Sequence, residues 1–240
     1  MICPICSAVC KPTGKFCDGE QHPWYSCSTC THSVLDISDE LNRKFQSSYR
    51  RKAQKAGDIK SDGTLNVDMY YKNREHILSR RVKKIDKILK EVATRTMFDI
   101  GCGGGYMLKH YSSEWNVQGI EIDALCVKAC AQLNIPCIHG DFLSTEIDGK
   151  FGVVTAWHVL EHSMEPVEFM RKMASLCIAG GIIVVEIPIK RGLKQRYDGH
   201  PQCFTEKSFN SLMSNFIEIE QMEILPGVQK PALLFFGKKI

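Results

Sequence analysis

Three groups of residues in this chain have types and spacings that can do chemistry. The first is Phe98-Asp99-Ile100-Gly101-Cys102-Gly103-Gly104-Gly105-Tyr106-Met107-Leu108, an apolar strand end, a glycine turn and the first turn of a helix. Its glycines allow positive φ and let a ligand come closer than a Cβ would permit. The pattern by itself fits a dinucleotide fingerprint, a nucleotide loop or a tight strand-to-helix turn. A dinucleotide site counted from Gly101 needs glycine or alanine at position 106, which is Tyr106, so a nicotinamide-dependent oxidoreductase is disfavoured. No Gly-Lys-Ser/Thr follows, which argues against a phosphate-cradling P-loop. What remains is Asp-x-Gly-x-Gly-x-Gly, and its leading carboxylate suits a ligand carrying an amine or hydroxyls.

The second group is Cys3-Pro4-Ile5-Cys6 and Cys27-Ser28-Thr29-Cys30, two C-x-x-C knuckles with twenty residues between them. Each turn presents two thiolates, and Cys3, Cys6, Cys27 and Cys30 together complete a tetrahedral Zn²⁺ site with no position open to water, hence a structural one. Six of the twelve cysteines lie in the first thirty residues. Without an export signal this clustering points to metal ahead of disulfides. A redox pair is the alternative, but the helix start in a strand-rich context that such pairs use is missing. Cys10, Cys17, His22 and His32 read as ordinary residues of a small module, available as substitutes but not expected as ligands.

The third group is histidine. His158 and His162 close the stretch Phe151-Gly152-Val153-Val154-Thr155-Ala156-Trp157-His158-Val159-Leu160-Glu161-His162, and His200 lies in Tyr197-Asp198-Gly199-His200-Pro201. Neutral imidazole near pH 7 can act as a general base, although stabilising a turn is the plainer role.

The elements that must position these residues alternate between strand and helix. Ile77, Leu78, Val82, Ile85, Ile88, Leu89 and Val92 have the spacing of an amphipathic helix within residues 69–92. Strands follow at 96–100, 117–123 and 136–138, then at the Phe151 run and at Ile182 to Pro188, an apolar run fit for burial on both faces. Helices are expected at 123–133, at 164–177 before Ala179-Gly180-Gly181, and after Thr205, which caps with Ser208 three residues on. Residues 216–225 and 231–237 read as a closing antiparallel hairpin. This order predicts an α/β fold, a doubly wound parallel sheet with helices on both faces. The organisation read from it is a zinc ribbon at 1–35, a helical linker at 36–66 with a basic helical run from Leu41 to Ala56, and a main domain at 67–240.

Composition is that of a soluble globular chain, 44% hydrophobic and 24% charged. No apolar run nears the roughly 20 residues of a membrane span, and Met1-Ile2-Cys3-Pro4 lacks the basic start and apolar core of a signal peptide. A cytoplasmic location is expected, with no membrane partner. The net charge of +4 is modest. The denser basic patches, Arg50-Arg51-Lys52 with Lys55 and Arg80-Arg81 with Lys83-Lys84, read as solvated helix faces ahead of a nucleic-acid surface.

The glycine stretch resembles motif I of the class I S-adenosylmethionine-dependent methyltransferases. The resemblance extends to Val117-Gln118-Gly119-Ile120-Glu121-Ile122-Asp123, with Glu121 twenty positions beyond Gly101, and to Gly140-Asp141-Phe142 after the third strand. It implies a Rossmann-like sheet of seven strands ending in the hairpin. It also implies that S-adenosylmethionine is held by Asp99, Gly101, Gly103, Glu121, Ile122, Asp141, Phe142 and Trp157. In that family the acid matching Glu121 takes both ribose hydroxyls, the acid near Asp141 lies by the adenine amine, and a segment like 36–66 can form a lid.

Val159-Leu160-Glu161-His162 with Glu165-Pro166 resembles the corresponding loop of small-molecule methylases acting on quinols and sugars, and the Asn/Asp-Pro-Pro-aromatic signature of nucleic-acid amino methyltransferases is missing. Residues 197–205 resemble a stretch of deoxysugar C-methyltransferases, which also carry a cysteine-bound zinc. Tyr197, His200, Phe204 and Thr205 fit, while Gly199, Cys203 and Ile189 depart from the pattern. The implied function is methyl transfer to a small molecule, a sugar, quinol-like compound or nucleotide-linked metabolite, with acceptor contacts and any base among His158, His162, His200 and Tyr197. The alternative is a binding protein or methyltransferase whose zinc ribbon docks RNA or a protein, with Trp24-Tyr25 available for stacking. Neither the acceptor atom nor the oligomeric state follows from the sequence.

Overall fold

A computed structural model describes residues 1–18, 21–46, 57–189, 193, 199–225 and 232–240. The chain divides into two compact units, one of Met1–Ser47, Trp157–Ala174 and Val184–Ile240, the other of Ser48–Ala156 and Ser175–Ile183.

The N-terminal residues form β1 (Cys10–Cys17), β2 (His22–Cys27) and β3 (Ser33–Leu35), then α1 (Asp39–Gln46). The basic run expected to continue as helix to Ala56, with its patch at residues 50–55, lies outside the described residues beyond α1. The second unit opens with α2 (Val67–Leu89), capped by the Asn66 side chain accepting from the Met69 N–H. There follow β4 (Thr96–Ile100), α3 (Tyr106–Tyr111), β5 (Asn116–Glu121), α4 (Ala124–Gln132), β6 (Cys137–His139) and β7 (Phe151–Trp157). The chain closes with α5 (Pro166–Leu176), β8 (Cys177–Pro188), β9 (Gln202–Cys203), α6 (Glu206–Met213), β10 (Ile217–Leu225) and β11 (Ala232–Lys239).

Seven strands form one sheet in the order β10-β11-β8-β7-β4-β5-β6. β4, β5, β6 and β7 run parallel, and β10 pairs antiparallel with β11. Every residue of β7 is buried, as is β4 apart from Thr96, because helices cover both faces of such a sheet. The expected α/β architecture with its terminal hairpin is therefore present.

Two local expectations change. Ala179-Gly180-Gly181 does not end the helix: α5 stops at Leu176 and residues 177–181 already belong to β8, with Gly180 at φ +69 accommodating the irregular start. Arg81, expected on a solvated face, is buried, and its guanidinium donates to the Tyr106 hydroxyl. It lies four residues before Ile85 and so shares the inward face of α2.

The strands β1, β2, β3 and β9 make a second, four-stranded antiparallel sheet. Its core is Cys17, Trp24, Leu35, Ile37 and Cys203. β9 comes from far along the chain, so the N-terminal module is completed by residues 202–203. His32 is fully buried there, with Nε2 2.7 Å from Gln202 Oε1 and its ring against Phe204. Trp24 is buried as well and offers no face for stacking a base.

Candidate active site

The glycine loop sits where β4 ends. Gly101, Gly103 and Gly105 have φ of +65, +56 and +77, conformations that side chains rarely adopt, and Gly105 is the N-cap of α3. At Gly103 the lack of a side chain serves packing as well: a Cβ there would come within 2.4 Å of the Tyr70 hydroxyl. That hydroxyl accepts from the Gly104 N–H at 3.2 Å, and the Tyr71 hydroxyl donates to the Gly104 carbonyl at 3.3 Å. Two tyrosines of α2 thus clamp the loop.

Glu121, at the end of β5, accepts from the Gly103 N–H through Oε2 at 2.8 Å and from the Asp123 N–H through Oε1 at 2.9 Å. An ionised carboxylate has about four acceptor positions, so these backbone bonds leave Glu121 acceptor capacity for a ligand. Burial pushes the Glu121 carboxyl above the usual range, against the lowering effect of those backbone donors.

Asp99 is buried in β4, with Oδ1 accepting from the Thr155 hydroxyl at 2.6 Å. Burial raises it to about 7, although Thr155 and Arg81 favour its charged form. Asp141, after β6, spends Oδ1 on its own turn, accepting from the N–H groups of Leu143 and Ser144. Phe142 and Trp157 are buried, and Ile122 is exposed. The strand ends are tied directly: the Gly101 N–H donates to the Ile120 carbonyl, and the Gly140 N–H to the Glu121 carbonyl. Asp99, Gly101, Gly103, Glu121 and the Asp141 turn are thereby assembled at adjacent ends of β4, β5 and β6.

The histidines gather in the other unit. His158 has φ +58, and its ring is held between two buried carboxylates, Nδ1 3.2 Å from Glu161 Oε1 and Nε2 2.9 Å from Glu186 Oε1. Burial alone would lower its pKa, but the hydrogen bonds to Glu161 and Glu186 bring it up to about 9. Glu161 is held down to about 2, its burial outweighed by His158 and by the nearby His162 and His200. His162 Nδ1 lies 2.5 Å from the Gly199 carbonyl, and Asn42 donates to the His162 carbonyl. The His162 and His200 rings meet edge to face at 4.6 Å. Donor atoms of Glu161, His162 and His200 lie within 4.8 Å of one another. Tyr197 lies outside the described residues.

The cysteine knuckles repeat one backbone design. The Cys3 N–H donates to the Ala8 carbonyl and the Ser7 N–H to the Cys3 carbonyl; likewise Cys27 donates to His32 and Thr31 to Cys27. Ser7 (φ +58) and Thr31 (φ +65) both turn left-handed just after the second cysteine, an uncommon conformation for a non-glycine residue. All four sulfurs lie within 4.8 Å of one another, with Cys3–Cys30 and Cys6–Cys27 at 3.5 Å.

A methyltransferase domain family matches residues 70–216, from the tyrosine clamp to just before β10. The chain belongs to this methyltransferase domain family. A ubiquinone biosynthesis O-methyltransferase of Nitrosomonas europaea is 28% identical over 120 residues, 46% of this chain and 51% of that protein. Ajmaline N-methyltransferase of Rauvolfia serpentina is 29% identical over 114 residues, 43% and 39% of the two chains. The chain thus spans about half, or less, of the length of these curated relatives. Among solved structures, magnesium protoporphyrin IX methyltransferase of Synechocystis PCC 6803 with bound S-adenosylmethionine shares the fold at a TM-score of 0.58 and 16% identity, over 84% of this chain and 94% of that one.

Within the methyltransferase domain, sequence reasoning passed over Tyr70, Tyr71 and Glu186. Glu186 had left a signal: a carboxylate inside an apolar strand is costly unless paired, so it demanded a cation or donor. The tyrosines left none, since their role depends on how α2 packs.

The His158 arrangement sets a pH dependence. Its pKa is raised from 6.5 to about 9, so its stabilisation is complete below pH 6.5 and is lost as pH rises through about 9. Glu161, lowered from 4.5 to about 2, contributes above pH 4.5 and loses its contribution on acidification. Between pH 6.5 and 9 the stability advantage of the native protein over His158→Gln should shrink by about 1 kcal/mol, after discounting for screening of this half-exposed ring. Thermal melts of both proteins across that range check it, and parallel curves would refute it.

Proposed function

We propose that the chain transfers the methyl group of S-adenosylmethionine to a hydroxyl of a small quinol-like acceptor. The observation that carries the donor assignment is Glu121, fixed through both oxygens by backbone N–H groups at the end of β5 with acceptor capacity to spare, a match for a ribose diol. The names of the curated relatives support a small-molecule acceptor, and five of the six are ubiquinone biosynthesis O-methyltransferases. When bound, S-adenosylmethionine supplies an already electrophilic methyl group, so the protein's work is alignment, exclusion of water and removal of a proton.

His158, with both ring nitrogens engaged by carboxylates, is suited to holding the loop after β7. His162 is suited to the proton: donation from Nδ1 to the Gly199 carbonyl leaves the Nε2 lone pair as acceptor. His162 Nε2 would take the proton of the acceptor hydroxyl, while S-adenosylmethionine, when bound, would supply the methyl group. His162→Ala should lower kcat about a hundredfold, with S-adenosylhomocysteine affinity unchanged by calorimetry; a proportionate loss of affinity would assign His162 to cofactor binding instead.

The paired knuckles fit a structural zinc held by Cys3, Cys6, Cys27 and Cys30. Its role would be to close the N-terminal module. The function is tested by calorimetry with S-adenosylmethionine and S-adenosylhomocysteine and by a labelled-methyl screen over catechols, quinols, nucleotide sugars and RNA. No binding of either cofactor form would overturn the donor assignment, and methylation of RNA alone would overturn the acceptor class.

A further inference from the structure

A second cluster of thiols lies in the unit that carries the glycine loop. Cys102 belongs to the loop, Cys130 to α4 and Cys137 to β6, and their three sulfurs lie within 4.8 Å of one another. Cys102 and Cys137 are 3.6 Å apart, close to the 3.5 Å contacts of the N-terminal knuckles. Three sulfurs bound to one ion at about 2.3 Å would stand about 4 Å from each other. The three sulfurs, within 4.8 Å of one another, therefore need only a small adjustment to hold one.

Glycines make room for these sulfurs. Gly119 of β5 pairs with Cys137, and a Cβ at Gly119 would come within 2.6 Å of the Cys102 sulfur. The bare backbone of β5 is the gap through which Cys102 reaches towards β6. At Gly105 an added Cβ would meet the Cys130 sulfur at 3.0 Å. A glycine inside a strand weakens it and marks a close approach, and here the approaching atom is a thiol. Cys102 and Cys130 are buried while Cys137 is half-buried, which leaves one sulfur for entry.

We propose that Cys102, Cys130 and Cys137 form a three-thiolate site for Cu(I). Thiolates select soft ions, and among the described residues this group has three donors, where structural zinc almost always takes four. Binding forms three S–Cu bonds and releases the thiol protons to solvent; copper enters as Cu(I), so no electron is transferred. The site is coupled to the loop. The Cys130 and Cys102 thiols donate to the Gly103 carbonyl at 3.3 and 3.7 Å, and metal-bound thiolates have no proton to donate. The same Gly103 donates its N–H to Glu121, so copper should weaken cofactor binding, a consequence that rests on the donor assignment above.

The test uses the whole 240-residue chain, zinc-loaded, under anaerobic conditions, with Cu(I) supplied against a Cu(I) chelator and both metals measured after desalting. The wild type should retain about one copper per chain with its zinc unchanged. Cys137→Ser and Cys102→Ala should lose the copper, and Cys126→Ser, outside the group, should keep it. Equal copper in wild type and the Cys137→Ser variant, or loss of one zinc for each copper gained, would overturn the site. In calorimetry, copper should weaken S-adenosylhomocysteine binding about tenfold in wild type and leave Cys137→Ser unaffected. Unchanged affinity in copper-loaded wild type would refute the coupling, whereas failure of copper-free protein to bind the nucleoside would refute the donor assignment and leave the metal site standing.

Discussion

Glu121→Ala should weaken S-adenosylhomocysteine binding by two to three orders of magnitude, about 3–4 kcal/mol, with calorimetry as the check. The size follows from losing two hydrogen bonds to a charged group, each typically contributing about 1.5–3 kcal/mol. It also follows from leaving the Gly103 and Asp123 N–H groups without the acceptor that orients the loop. Glu121→Gln separates the two effects, since the amide oxygen can accept one backbone bond while its NH₂ repels the other. Its affinity should lie between those of wild type and the alanine variant. Because burial raises the Glu121 pKa, affinity in the wild type should fall on acidification earlier than an ordinary glutamate would allow. An alanine variant that binds as tightly as wild type would remove Glu121 from the cofactor site.

If Cys3, Cys6, Cys27 and Cys30 hold the proposed zinc, chelating it should unfold the small sheet. A structural zinc in a small module contributes on the order of 10 kcal/mol, more than β1, β2 and β3 recover by burying Trp24 and Leu35 alone. β9 pairs with β3, so the loss should reach residues 202–203 and the buried His32–Gln202 contact. Chelation should shift Trp24 fluorescence to the red and abolish exchange protection at 2–35 and 202–203. Cys27→Ser should do the same without chelator. Metal analysis should find about one zinc per chain in the native protein, and a zinc-free preparation with an intact protected N-terminus would end this account.

Both sites could be read in part from local pattern. The glycine loop, the acid ending β5 and the paired C-x-x-C knuckles lie within a few residues of the backbone they shape. Positive φ at Gly101, Gly103 and Gly105, the apolar run of β7 and the Thr205–Ser208 cap are consequences of residue type and near neighbours, so strands, helices and family resemblance were legible together. The purpose of the glycines was only half legible: Gly103 and Gly104 make room for Tyr70, a residue thirty-odd positions upstream whose approach depends on the packing of α2. The same holds for Arg81, whose helical position looked solvated until Tyr106 supplied a partner.

By itself the sequence determined the order of strands and helices in the main domain, which rests on short-range conformational preference, while the family and the candidate cofactor-binding acids followed from motif resemblance. Tertiary structure decided which distant groups meet: β9 with β3, Glu186 with His158, and Cys102 with Cys130 and Cys137. The physical reason is that a buried carboxylate or thiol acquires its chemistry from the partner placed against it, and that partner is chosen by sheet order and helix packing.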